Sequence, residues 1–123
     1  MLVSDAISIN EVLKELSTKD LPFKTAVAVA KNLKSLECVL SVFEQKRTAI
    51  ITDNAKRDED GNVVYTNPEH TQVQLDDVTK VNEEITKLLN EEVELVIGSM
   101  HFDNTDSLNI APKLLTPILD YIE

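Results

Sequence analysis

The sequence predicts an α+β fold, mainly α: a long helix packed against a second helix, a small antiparallel sheet and a short C-terminal helix. Three observations carry this expectation. Residues 23–53 contain neither Gly nor Pro, and their apolar side chains recur at steps of three and four. Val93, Leu95 and Ile97 alternate with Glu92, Glu94 and Val96 up to Gly98, the period of a strand. Aromatic residues are few and Trp is absent, so Leu, Val, Ile and Ala must fill the core, which suits helix packing. A chain of 123 residues fits one domain, 1–123.

Residues 2–9 mix apolar and small polar side chains and fit either a short strand or the start of a helix. From Asn10 to Leu16 the pattern is helical, with Ile9, Val12, Leu13 and Leu16 on one side. Pro22 disfavours helical geometry at Leu21, and Thr18 or Asp20 is placed to cap the next helix. That long helix spans 22–53. Its stripe is Phe23, Ala26, Val27, Ala30, Leu33, Leu36 or Glu37, Leu40, Phe43, Arg47 and Ile50. The near-heptad spacing persists for about four heptads. At 1.5 Å per residue it spans roughly 45 Å, longer than so small a domain needs. The helix therefore wants a partner along its length: a second helix of the same chain or, as a homo-oligomer through 22–53, another copy. Cys38, the single cysteine, reads as a small buried or half-buried side chain on this helix, and its solitude is consistent with a reducing compartment.

Asp60-Gly61-Asn62 is a turn signal, since Gly accepts positive φ. Val63–Tyr65 is a short β-prone run broken at Asn67-Pro68. A second helix is expected from Thr71 or Leu75 to Asn90, with Leu75, Val78, Val81 or Asn82, Ile85, Leu88 and Leu89 inward. Lys80 and Lys87 stand at i,i+3 and i,i+4 spacing from its acidic residues. Val63–Tyr65 and residues 2–9 are the expected pairing partners of strand 93–97. Residues 103–110 read as loop. Ala111-Pro112 opens a last helix burying Leu114, Leu115, Ile118, Leu119 and Ile122, with Pro117 liable to kink it.

Charge divides the chain. Residues 1–57 carry nine basic against seven acidic side chains, a balance of +2; residues 58–123 carry three against fifteen, a balance of −12. Such acidity repels phosphate backbones, so nucleic-acid binding is not expected there. The basic residues of the long helix lack interleaved aromatics, which argues against it at that end too. No apolar run reaches the roughly 20 residues of a membrane span, and Met1–Asn10 has no basic start, so neither membrane nor secretory signal is expected.

Few enzyme templates find anything to attach to. A calcium loop with Gly61 sixth would begin at Lys56 and end at Asn67, a cation where a carboxylate is needed and an amide where a bidentate Glu is needed. His70 and His101 have no second His or Cys at ligand spacing. Pairs such as Glu91, Glu92 and Glu94, or Asp103 and Asp106, are read as solvated borders of helix and strand. Two glycines leave no phosphate-cradling loop, and no Gly-x-Ser-x-Gly turn occurs. No catalytic residue, metal or cofactor is therefore expected. The sharper expectation is an acidic partner-binding surface made of Asp76, Asp77, Glu83, Glu84, Glu91, Glu92 and Glu94.

Several segments, taken in order, carry a resemblance. They are Leu21-Pro22-Phe23-Lys24-Thr25-Ala26, Val29-Ala30-Lys31-Asn32-Leu33, Phe43-Glu44-Gln45-Lys46-Arg47, Asp58-Glu59-Asp60-Gly61-Asn62-Val63, Leu88 to Leu95, and Ile110-Ala111-Pro112. Together they resemble a group of small proteins of unknown function encoded by phages and prophages of Gram-positive bacteria. The resemblance covers most of residues 16–123; Cys38 is not part of it. It implies action in the bacterial host cytoplasm or in a virion, and it brings no catalytic residues. Three functions compete under it: an inhibitor that binds a host defence or nucleic-acid-processing protein, a tail or head component, and, last, a small enzyme. A purely structural homo-oligomer is the further alternative.

Overall fold

A computed structural model describes residues 1–102 and 112–122, with side chains in the last segment described from Leu115 onward. Among the described residues there are four helices and no sheet. They are α1 (Val3–Ser17), α2 (Phe23–Asp53), α3 (Val78–Leu89) and a C-terminal 3-10 helix (Pro112–Tyr121). The residues gather into two compact units, Met1–Ser41 with Glu92–Glu123, and Val42–Glu91. The expectations on 103–110, Asp103, Asp106, Ala111 and Leu114 lie outside the described residues or side chains.

The first unit holds most of the core. The alternatives at residues 2–9 resolve to helix. Asp5 accepts a hydrogen bond from the Leu2 N–H at 3.3 Å and starts α1. At the other end Ser17 Oγ donates to the Lys14 carbonyl at 2.6 Å and Thr18 Oγ1 to the Glu15 carbonyl at 2.7 Å, satisfying acceptors the helix leaves open. Between these ends Ala6, Ile9, Leu13 and Leu16 are almost wholly buried. They join Val29 and Leu36 of α2, Ile97, Met100 and Ile118 in one cluster. Each large apolar side chain so buried contributes about 1.5–3 kcal/mol. The C-terminal 3-10 helix packs on α1. Pro117 lies inside this 3-10 helix and, having no N–H, donates to neither an α-helical nor a 3-10 bond. Ile118 is buried, whereas Leu119, expected inside, is 57% exposed.

The stripe expected on α2 holds from Leu33 onward, where Leu36 is buried and Leu33, Leu40, Phe43, Arg47 and Ile50 are half-buried, but the first turns of the helix are rotated from it. Its buried residues are Thr25, Val29, Asn32 and Leu36, while Phe23 is 83% exposed and Ala26 and Ala30 are exposed. Two polar residues win the inner face because they hydrogen-bond the extended segment 93–102. The Asn32 amide donates through Nδ2 to the Gly98 carbonyl at 2.9 Å and accepts from the Gly98 N–H at 2.8 Å. Thr25 Oγ1 donates to the His101 carbonyl at 2.6 Å. Cys38 is exposed, contrary to the buried or half-buried place expected for it.

The antiparallel sheet expected around 93–97 is not there. The period-2 reading of the segment holds in its faces: Val93, Leu95 and Ile97 are half-buried or buried, and Glu92, Glu94 and Val96 are exposed. Among the described residues, however, the backbone of 92–98 meets the chain start, through a single Leu2–Glu92 bridge and the Val93 N–H donating to the Met1 carbonyl at 2.8 Å, and the Asn32 side chain at Gly98, while further on Met100 makes one isolated bridge to Ile122. Side-chain amide and hydroxyl take the place of a neighbouring strand.

The second unit also lacks a sheet. Three extended pieces touch through isolated antiparallel bridges, Ala55–Leu75, Arg57–Val63 and Tyr65–Val73. The N–H of Lys56 donates to Gln74, that of Gln74 to Val64 and that of Val64 to Lys56, at 2.8–2.9 Å. Each bridge is closed by a reciprocal bond, from the N–H of Asp76 to Asn54, of Thr66 to Gln72 and of Asp58 to Asn62 at 2.8–3.1 Å, but no bridge is followed by a second, so none extends into a ladder. Val63–Tyr65 thus pairs locally. The second helix begins at Val78 instead of Thr71 or Leu75, because residues 72–76 are used in this ring. Asp77 caps it by accepting the Lys80 N–H at 3.0 Å. Val81 is buried; Ile85, Leu88 and Leu89 are half-buried.

Candidate partner-binding surface

The seven carboxylates expected to meet a partner fall in both units. Asp76, Asp77, Glu83, Glu84 and Glu91 belong to Val42–Glu91, and Glu92 and Glu94 to the other. Asp77 spends its side chain on the α3 cap. Glu92 holds the N-terminal ammonium of Met1 at 3.0 Å with its own side chain 75% exposed. Glu84 is half-buried. Asp76, Glu83, Glu91 and Glu94 are exposed, and their side chains make no hydrogen bond or ion pair among the described residues.

The helical charge pairs expected for Lys80 and Lys87 do not form: neither ammonium comes within 4.0 Å of a carboxylate among the described residues. Instead both line a groove of about 540 Å³ in the second unit, with Ile50, Asp53, Glu84, Leu88 and Glu91. Opposite charges face the same solvent there without closing on each other.

The remaining chemistry-bearing residues are accounted for by structure. The Asp58 carboxylate accepts the N–H groups of Asp60 and Asn62, both at 2.9 Å, and Gly61 takes φ +81°, so the acidic turn closes on its own backbone. His70 sits at φ +57° and stacks on Tyr65, ring centres 4.6 Å apart and nearly parallel. His101 lies in the first unit, exposed, beside a groove of about 560 Å³ with Pro22, Phe23, Lys24, Thr25, Ala28 and Ser99. The two histidines are thus not brought together as a pair within one unit. No helix among the described residues is long and apolar enough to cross a membrane.

Sequence reasoning missed Thr25 and Asn32. Their 4-3-4 spacing with Val29 and Leu36 is a helical face of its own, but polar side chains hide it from an apolar count. It also missed the exposed edge at Val96. Compared with family models, with curated proteins and with solved structures, the chain finds no match.

Proposed function

We propose that this chain is a non-enzymatic, phage-encoded protein-binding module, acting in the bacterial host cytoplasm as an inhibitor of a defence or nucleic-acid-processing protein. The observation that carries the reading is the set of exposed carboxylates of Val42–Glu91, Asp76, Glu83 and Glu91, which have no partner among the described residues. Exposed carboxylates without a partner do little for stability and repel one another when close. They are suited to a basic patch on a partner, where complementary charge speeds encounter and selects the partner. The phage origin rests on the resemblance carried by most of residues 16–123. Affinity purification from infected bacteria tests the proposal: one host protein should be retained, and released as salt rises. Recovery of nothing specific contradicts it.

One observation favours a second reading, a virion or homo-oligomeric role. Phe23, Ala26 and Ala30 leave an apolar strip of α2 in solvent. A particle component appears in purified virions by mass spectrometry; an inhibitor does not.

A further inference from the structure

The segment following Glu92 has a property that neither its acidity nor the core explains. From Val93 to Ser99 the backbone runs without turn or bend. Its pairing is confined to its ends: Val93 with Met1, and Gly98 with Asn32. Between them, the N–H and C=O groups of Glu94, Leu95, Val96 and Ile97 have no hydrogen-bond partner among the described residues. Unpaired backbone groups are tolerated only where water reaches them. In an extended chain alternate residues present these groups to opposite edges, so each edge carries two residues without a partner among the described residues. The outer face carries Glu92 and Glu94, with Val96 85% exposed beside them. An exposed β-branched residue on an unpaired extended edge is the feature that proteins usually suppress.

We infer that residues 94–97 receive an extended, basic segment of a partner protein, added as a β-strand alongside this one. The occupant's chemistry is set by the face it meets. Lys or Arg at alternate positions answers Glu92 and Glu94, and a β-branched apolar residue answers Val96. A second copy of the chain is the poorer occupant, because it brings a net charge of −10 against the same charge. The inference rests on the reading of the chain as a protein-binding module and supplies its mode of contact.

The test uses the full chain and a synthetic peptide of alternating Lys and Val. Its control is the same peptide with every central amide N-methylated, which keeps the charge and removes the donors. The unmodified peptide should bind at least about tenfold more tightly than the control, a difference of about 1.4 kcal/mol. In hydrogen exchange, one alternate pair of amides, Leu95 with Ile97 or Glu94 with Val96, should slow on peptide addition. The double variant Glu94→Lys, Val96→Lys should lose the peptide while α1 amides stay protected. Equal binding of the methylated control overturns the inference, as does an unchanged exchange rate at 94–97. Protection of 94–97 in peptide-free protein, with a dimer by light scattering, assigns the edge to a second copy and also overturns it. Reversing Asp76, Glu83 and Glu91 separates the two readings: it should abolish host-protein capture yet leave the methylated and unmodified peptides still distinguished.

Discussion

Asn32 gives both halves of its amide to Gly98, and Thr25 gives its hydroxyl to the carbonyl of His101. These bonds decide which face of α2 turns inward, since no apolar residue at either place could satisfy the backbone of 98–101. Asn32→Ala leaves a donor and an acceptor of Gly98 without partners and should cost about 1–3 kcal/mol in urea unfolding. Thr25→Val keeps the shape and loses one donor, so a smaller cost of about 1 kcal/mol is expected. The two glycines should respond differently. Gly61, at φ +81°, should destabilise the chain by roughly 1 kcal/mol when replaced by Ala. At Gly98 an added Cβ would meet Asn32 Oδ1 at 3.5 Å, an ordinary contact, and Gly98→Ala should be near neutral.

The elements differ in what holds them. α1 is fixed by its buried face, α3 by its Asp77 cap and one buried side chain, Val81. Asp77→Ala should therefore cost α3 about 1 kcal/mol and show as faster hydrogen exchange at residues 78–82. Ile118→Ala should cost about 2–5 kcal/mol although it lies in a 3-10 helix, because Ile118 is fully buried in the cluster that includes α1. Helix positions were legible in the sequence wherever apolar spacing and breakers agreed: Pro22 opens α2, and Asn90 closes α3. The alternation of 92–97 was legible too. Its partner was not, because alternation encodes which side chains are buried and says nothing about what pairs the backbone. Here residues 92 and 93 meet the chain start, and Gly98, just past the segment, is held by the Asn32 side chain sixty-six residues away. The N-terminal limit of α3 was misplaced for a related reason: Leu75 fits a helical stripe by spacing, yet pairs with Ala55.

At the scale of the molecule, the described core is unequally shared. Of the buried apolar residues, only Ala55 and Val81 belong to Val42–Glu91. Local stability follows buried apolar contact, so this unit should exchange its amides at lower free energy than α1, and limited proteolysis should cut first at the exposed turns 58–62 or 67–71. Charge was legible from composition at this scale: the second half is acidic, and all its described carboxylates but the half-buried Glu84 are exposed. The candidate site was legible only as a set of residues. Their division between two units, the use of Asp77 as a cap and the ion pair of Glu92 with Met1 depend on folding, and no local pattern encodes them. The central claim is that the exposed carboxylates of Val42–Glu91, Asp76, Glu83 and Glu91, form the contact with a basic partner. It is tested most directly by measuring the affinity of the captured host protein across a salt series. The measurement compares the wild-type chain with a variant carrying Asp76→Lys, Glu83→Lys and Glu91→Lys. The account predicts weaker binding and a flattened salt dependence for the variant; affinity and salt dependence both unchanged would contradict it.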